Sequence, residues 1–201
     1  MNIRNKQELE KIRSASMVVH DVLQELASLV KVGVTTAELN EVALKRCEEL
    51  KVTPAFLGYP CSESKGQPFP GVICASINEE IVHGIPNDRA LKEGDILCID
   101  FGVEKDGYFG DSALTVAVGS ISQRSQSLLS VTKECLDRAI QQCHPGKRLG
   151  DIGHAVQSHA EAHGFAVVRN FVGHGIGSEM HEPPAVPNFG KAGQGRLLKA
   201  G

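Results

Sequence analysis

The stretch that decides the fold is ILCIDFGVEKDGYFGDSALTVA, residues 96–117. Residues 95–104 run apolar and β-rich, Lys105-Asp106-Gly107 is a turn signal, and residues 108–118 form a second β-like run. Asp-Gly between two such runs is a strong short-range hairpin cue. With Asp106 and Gly107 as the two loop residues, Lys105 faces Tyr108, Gly102 faces Asp111 and Asp100 faces Ala113. Asp100 and Asp111 then project from one face as diagonal neighbours, roughly 7–8 Å apart at their backbones. Two like charges there repel, and burial raises the cost of ionising either one. A cation between them removes the conflict, and two cations about 3.5–4 Å apart fit a carboxylate-bridged pair. The plain alternative is two solvent-facing hairpin aspartates.

Three histidines lie in segments bounded by Gly or Pro. His174 sits in Gly173-His174-Gly175-Ile176-Gly177, where the backbone is free to bend and approach closely. His181 opens His181-Glu182-Pro183-Pro184, which the prolines make extended. His83 lies in a short apolar run, Ile81-Val82-His83-Gly84-Ile85-Pro86, ending in a turn. One such histidine is usually a hydrogen-bonded structural residue, whereas three shift the reading toward a site. His20, His154, His159 and His163 fall in helical stretches and read as surface or core residues.

Composition bounds the rest. The chain has 201 residues, 41% hydrophobic and 22% charged, which predicts one soluble domain over 1–201. A net charge of −3 gives no electrostatic footprint for nucleic acid. No apolar run approaches the length needed to span a bilayer, and MNIRNKQELEKIRS lacks a signal-peptide core, so a cytoplasmic protein is expected. The six cysteines (47, 61, 74, 98, 135, 143) lack C-x-x-C pairing and read as reduced core residues.

Organisation along the chain shows a repeat. Leu9, Ile12, Ser16, Val19, Leu23, Leu26 and Val30 make a helical stripe ending near Gly33. Thr35-x-x-Glu38 is a capping box opening a second helix, with Leu39, Val42, Ala43, Cys47 and Leu50 on one face. Leu128, Thr132, Cys135, Ala139 and Cys143 make a third stripe, and a fourth helix runs over 149–163 to Gly164. A shift of 113 residues places Leu23 on Leu136, Gly33 on Gly146 and Glu38 on Asp151. The expected class is α+β, built as two related halves.

Four segments, AFLGY (55–59), FPGVICASINEEIVHGIPN (69–87), LKEGDILCIDFGVEKDGYFGDSA (91–113) and VVRNFVGHGIGSEMHEPPAVPNFG (167–190), resemble the bacterial-type (type I) methionine aminopeptidases. The resemblance covers essentially the whole chain. It implies the pita-bread (creatinase/aminopeptidase) fold with its pseudo-two-fold repeat. It also implies Asp100, Asp111 and His174 as ligands of two divalent metal ions (Co, Mn, Fe, Zn or Ni), and His83 and His181 as catalytic, substrate-contacting groups. Phe56, Tyr59, Phe69 and Cys74 fall where that family lines its methionine pocket, and an unbranched thioether suits such an apolar slot. The implied activity is removal of the initiator methionine from N-terminal Met peptides and nascent chains by a metal-activated hydroxide. The implied enzyme is a cytoplasmic monomer that also meets the ribosome. The loop over 60–68 is longer than the family pattern.

After LLKAG the family continues with strands carrying two further glutamate ligands, and no such strands occur by Gly201. The sequence therefore reads as a chain truncated at its C-terminus, with C-terminal strands missing and three of five expected ligands present. A second class of function stays open beside the enzyme: a catalytically inactive truncated pita-bread protein that binds peptides or a protein partner. A proline-specific peptidase of the same fold is a third reading, set back because only 82 residues precede His83.

Overall fold

The computed structural model describes residues 4–60 and 66–200. Cys61 and most of the long 60–68 loop thus lie outside the described residues. The chain divides into two compact units. One holds Lys6–Ser122 with Ile176–Met180, and the other holds Gln123–Gly175 and His181–Gly201 together with the N-terminal segment.

In the first unit, helix α1 (Lys6–Leu29) and helix α2 (Thr36–Leu50) precede four strands: β1 (Thr53–Pro54), β2 (Ile73–Ile77), β3 (Ile96–Lys105) and β4 (Tyr108–Ala117). The capping box forms as the sequence predicts. The Thr35 hydroxyl accepts from the Glu38 N–H at 3.1 Å, and the Thr35 N–H donates to the Glu38 carboxylate at 2.7 Å. The hairpin register is also the predicted one, with Lys105 opposite Tyr108, Gly102 opposite Asp111 and Asp100 opposite Ala113. β3 is the central strand, flanked on one edge by β4 and on the other by β1 and β2.

Because side chains alternate along a strand, β3 sorts its residues cleanly. Leu97, Ile99, Phe101 and Val103 are fully buried in a core with Val19, Val22 and Leu26 of α1. Cys98, Asp100 and Gly102 therefore share the opposite face. Gly110 of β4 lies on the core side, where an added Cβ would stand 2.7 Å from the Ala15 backbone. That glycine lets α1 lie directly on the hairpin. The α1 stripe differs from the sequence expectation. Ala15, Val18 and Val22 join the buried face while Leu9 is 47% exposed. Small residues seat the helix on the sheet, and a leucine in the first turn overhangs it.

The second unit carries α3 (Gln123–Ile140), α4 (Leu149–Ala162) and a ribbon of β5 (Gly173–Gly175) with β6 (Glu182–Val186). It repeats the local grammar of the first. Gly33 and Gly146 both take left-handed φ, at 90° and 93°. Each precedes a lone antiparallel bridge, Thr35 to Ala90 and Arg148 to Leu197. The Asp151 carboxylate accepts from the Arg148 N–H at 2.7 Å, as Glu38 does from Thr35. The repeat ends at packing. Leu23 is 3% exposed beneath β3 and β4, whereas its counterpart Leu136 is 58% exposed. Val131, Cys135 and Ala139 are the buried residues of α3. Cys143 is a correction to the cysteine reading: it lies past the end of α3 and is exposed.

Candidate metal centre

Asp100 and Asp111 meet on the face of the hairpin turned away from the core. Their carboxyl groups share a hydrogen bond, and Asp100 is pushed up to about 8. Burial is the largest cause, followed by the charge of Asp111 and the hydrogen bond to it; the Phe101 N–H acts weakly in the other direction. Without a cation, burial and mutual repulsion oppose two negative charges on this pair. A hard divalent ion, which prefers oxygen ligands, would relieve that repulsion and suits this donor pair. Among the described residues no three His, Cys, Asp or Glu side chains are grouped closely enough to hold an ion by themselves.

The same unit carries the other face residues. Cys74 of β2 stands directly opposite Asp100. With Phe56 and Phe69 it forms a small buried cluster, and Ala55 and Met180 pack against it. Met180 is a neighbour of this cluster that the sequence reading did not single out. It lies more than 100 positions from the others, and only its place beside His181 could have drawn notice. Tyr59 is 41% exposed, although its N–H bonds the Phe56 carbonyl and its carbonyl accepts from the Phe69 N–H. It lies beside that cluster along the chain and is not one of its buried members.

His83 is exposed and has a left-handed φ of 61°. The segment is irregular backbone, not a strand. It is held against β2 by the Ala75 N–H to the Gly84 carbonyl at 2.8 Å and by the Gly84 N–H to the Ser76 hydroxyl at 3.1 Å. Left-handed backbone costs a residue with a Cβ roughly 1–2 kcal/mol, and such strain clusters at functional sites. Gly84 permits the approach, since a Cβ there would lie 2.2 Å from the Ala75 oxygen. Gly84→Ala is therefore expected to lower stability by about 1–3 kcal/mol and to displace His83. A fall in the thermal midpoint together with a fall in turnover checks this.

In the second unit His174 sits on β5 opposite Ala185. Its Nδ1 is 2.9 Å from the Gly175 carbonyl. A carbonyl only accepts, so Nδ1 carries the hydrogen; that arrangement fixes the ring and turns Nε2 away from this contact, as in a metal-ligating histidine. His181, exposed, lies with its ring 4.3 Å from that of His174. Glu182 is buried and paired with Arg4.

A buried, hydrogen-bonded pair of carboxyl groups is a donor set that suits a divalent ion and so points to the metal-dependent hydrolases. Residues 10–201 match the model of metallopeptidase family M24, and the chain belongs to that family. Methionine aminopeptidase of Clostridium acetobutylicum is 44% identical over 200 residues, spanning 99% of this chain and 77% of that protein. The crystal structure of methionine aminopeptidase from Thermotoga maritima matches with a TM-score of 0.92 at 39% identity, over 99% of this chain and 78% of that one. Prolidase from Pyrococcus furiosus matches at a TM-score of 0.78 and 19% identity, over 98% and 54% of the two chains, and shares the fold alone. The architecture is the pita-bread fold of these enzymes.

Proposed function

We propose that this metalloaminopeptidase releases the N-terminal methionine from peptides and nascent chains, using two divalent ions. Asp100 and Asp111 are the carboxylate ligands and His174 is an imidazole ligand through Nε2. The observation that carries the reading is the buried, hydrogen-bonded Asp100–Asp111 carboxyl pair, with Cys74 of the apolar Phe56–Phe69 cluster directly opposite Asp100. Bound ions would supply Lewis acidity and lower the pKa of water. The residues do the rest. Phe56, Phe69, Cys74 and Met180 take the thioether side chain, whose flexibility suits an apolar slot. His83 and His181 donate hydrogen bonds to the peptide nitrogen and to the developing oxyanion. The ions are drawn from Co, Mn, Fe, Zn and Ni, and the enzyme acts as a cytoplasmic monomer that meets its substrates at the ribosome.

The test is hydrolysis of Met-Ala-Ser, Glu-Ala-Ser and Ala-Pro by the protein loaded with Mn²⁺ or Co²⁺. Methionine release is expected from the first. Glu-Ala-Ser should react on the order of 10³-fold more slowly, because an unpaired carboxylate in an apolar slot costs several kcal/mol. Ala-Pro should remain intact. Binding of Met-Ala-Ser without release would instead favour the peptide-binding reading, and cleavage of Ala-Pro the proline-specific one.

A further inference from the structure

A two-stranded ribbon is at best marginally stable by itself. The ribbon carrying His174 and His181 is short, with three residues in β5 and five in β6. Its register runs Gly173 to Val186 and His174 to Ala185, then shifts before Gly175 pairs with Glu182. The last rung therefore joins two points that matter. Glu182 follows His181 directly in the chain. Gly175, across from it, supplies the carbonyl that receives the His174 Nδ1 hydrogen. The rung is tight, since a Cβ on Gly175 would lie 2.8 Å from the carbonyl oxygens of Glu182 and Pro183. Any movement of Glu182 is thus passed to Gly175.

Glu182 is the charged residue of the ribbon, and its side chain is only 8% exposed. A buried carboxylate must be paired. Its partner comes from 178 positions away: Arg4, itself 12% exposed, places Nη2 at 2.6 Å from Oε2 and also on Oε1. Arg4 and Asn5 belong to the same unit as the ribbon, although the chain enters α1 of the other unit at Lys6. The N-terminal residues thus act as a strap whose charge ends on the rung beside both histidines.

We infer that Arg4 is a positioning residue for the active-site ribbon: through Glu182 it fixes the Gly175–Glu182 rung and with it the orientation of His174 and His181. The inference rests on the aminopeptidase reading only for its kinetic consequence. Lysine keeps the positive charge that the buried carboxylate needs, so Arg4→Lys should restore part of what Arg4→Ala loses.

The experiment combines two readouts on Arg4→Ala, Arg4→Lys and Glu182→Gln in the full chain. The first is the ring NMR signals of His174 and His181 in metal-free protein. The second is kcat and KM for Met-Ala-Ser. Arg4→Ala is expected to move both sets of ring signals and to lower kcat on the order of 10²-fold, the scale of a small misplacement from a distance, with KM changing less. Arg4→Lys should return signals and rate toward wild type. Glu182→Gln removes the buried carboxylate and keeps an acceptor for the Arg4 guanidinium, so it is a milder change than Arg4→Ala and tests the strap where Arg4→Ala does not fold. Unmoved ring signals in folded Arg4→Ala or Glu182→Gln would overturn the strap. A lowered thermal midpoint with wild-type kcat would also overturn it, leaving a merely structural pair. If wild-type protein releases no methionine, the functional reading fails, while the ring signals still decide the strap.

Discussion

Asp100→Asn is expected to abolish divalent-metal binding and methionine release while making the metal-free protein more stable at neutral pH. The two effects have one cause. Asp100 is held near 8 by burial, by the charge of Asp111 and by their shared hydrogen bond. The unfolded value is about 3.9. A carboxyl whose folded value is raised supports the fold fully below its unfolded value, and that support is lost as pH climbs through the folded value. The metal-free protein should therefore lose stability, by a few kcal/mol at most, between about pH 4 and pH 8. Asparagine is neutral throughout and flattens that slope. It also halves the carboxylate count, and hard ions lose affinity steeply with that count. Loss of rate should be on the order of 10³-fold or more, since bound metal supplies several kcal/mol of charge stabilisation. Chemical denaturation of metal-free protein at pH 5 and pH 8, with Mn²⁺ calorimetry at neutral pH, measures both effects. Wild-type Mn²⁺ stoichiometry in the variant would remove Asp100 from the ligand set.

His181→Ala is expected to separate catalysis from metal binding. His181 is exposed, and its ring rests 4.3 Å from that of His174. Its proposed role is donation to charge that develops during reaction, not ligation. Deleting one donor of that kind typically costs on the order of 10²–10³ in kcat. Metal content and KM for Met-Ala-Ser should change little, because the lost interaction forms only in the transition state. Near-normal turnover would remove His181 from the mechanism. Loss of metal together with rate would instead make it a ligand.

Legibility in the sequence followed the range of the interactions. The 96–117 hairpin was readable to the residue because Asp106-Gly107 sets the turn and the turn sets the register. The Thr35 capping box was readable because its partners lie three positions apart, and the Arg148–Asp151 contact that echoes it came from the structure. The α1 stripe was read less well. Periodicity cannot tell a leucine that overhangs a sheet from an alanine that seats on it, and Leu9 and Ala15 changed places in that sense. The candidate residues were recognisable by type and by resemblance, since Asp100, Asp111, His174, His83 and His181 sit in short, Gly-bounded segments.

By itself the sequence determined the α+β class, the 113-residue repeat, the family and the face that Asp100 and Asp111 share. Each of these is carried by spacing within one element or by motifs a few residues long. Only the tertiary structure decided that the two carboxyl groups meet in a hydrogen bond and that Asp100 is pushed up, because that depends on how deeply the β3–β4 face is covered. It also placed Met180 against Phe56, Phe69 and Cys74, and Arg4 on Glu182. Those contacts join residues more than 100 positions apart, and no local rule of propensity or pattern links them. They exist because the folded backbone brings distant side chains within a few ångströms of each other, where a buried charge must find a partner.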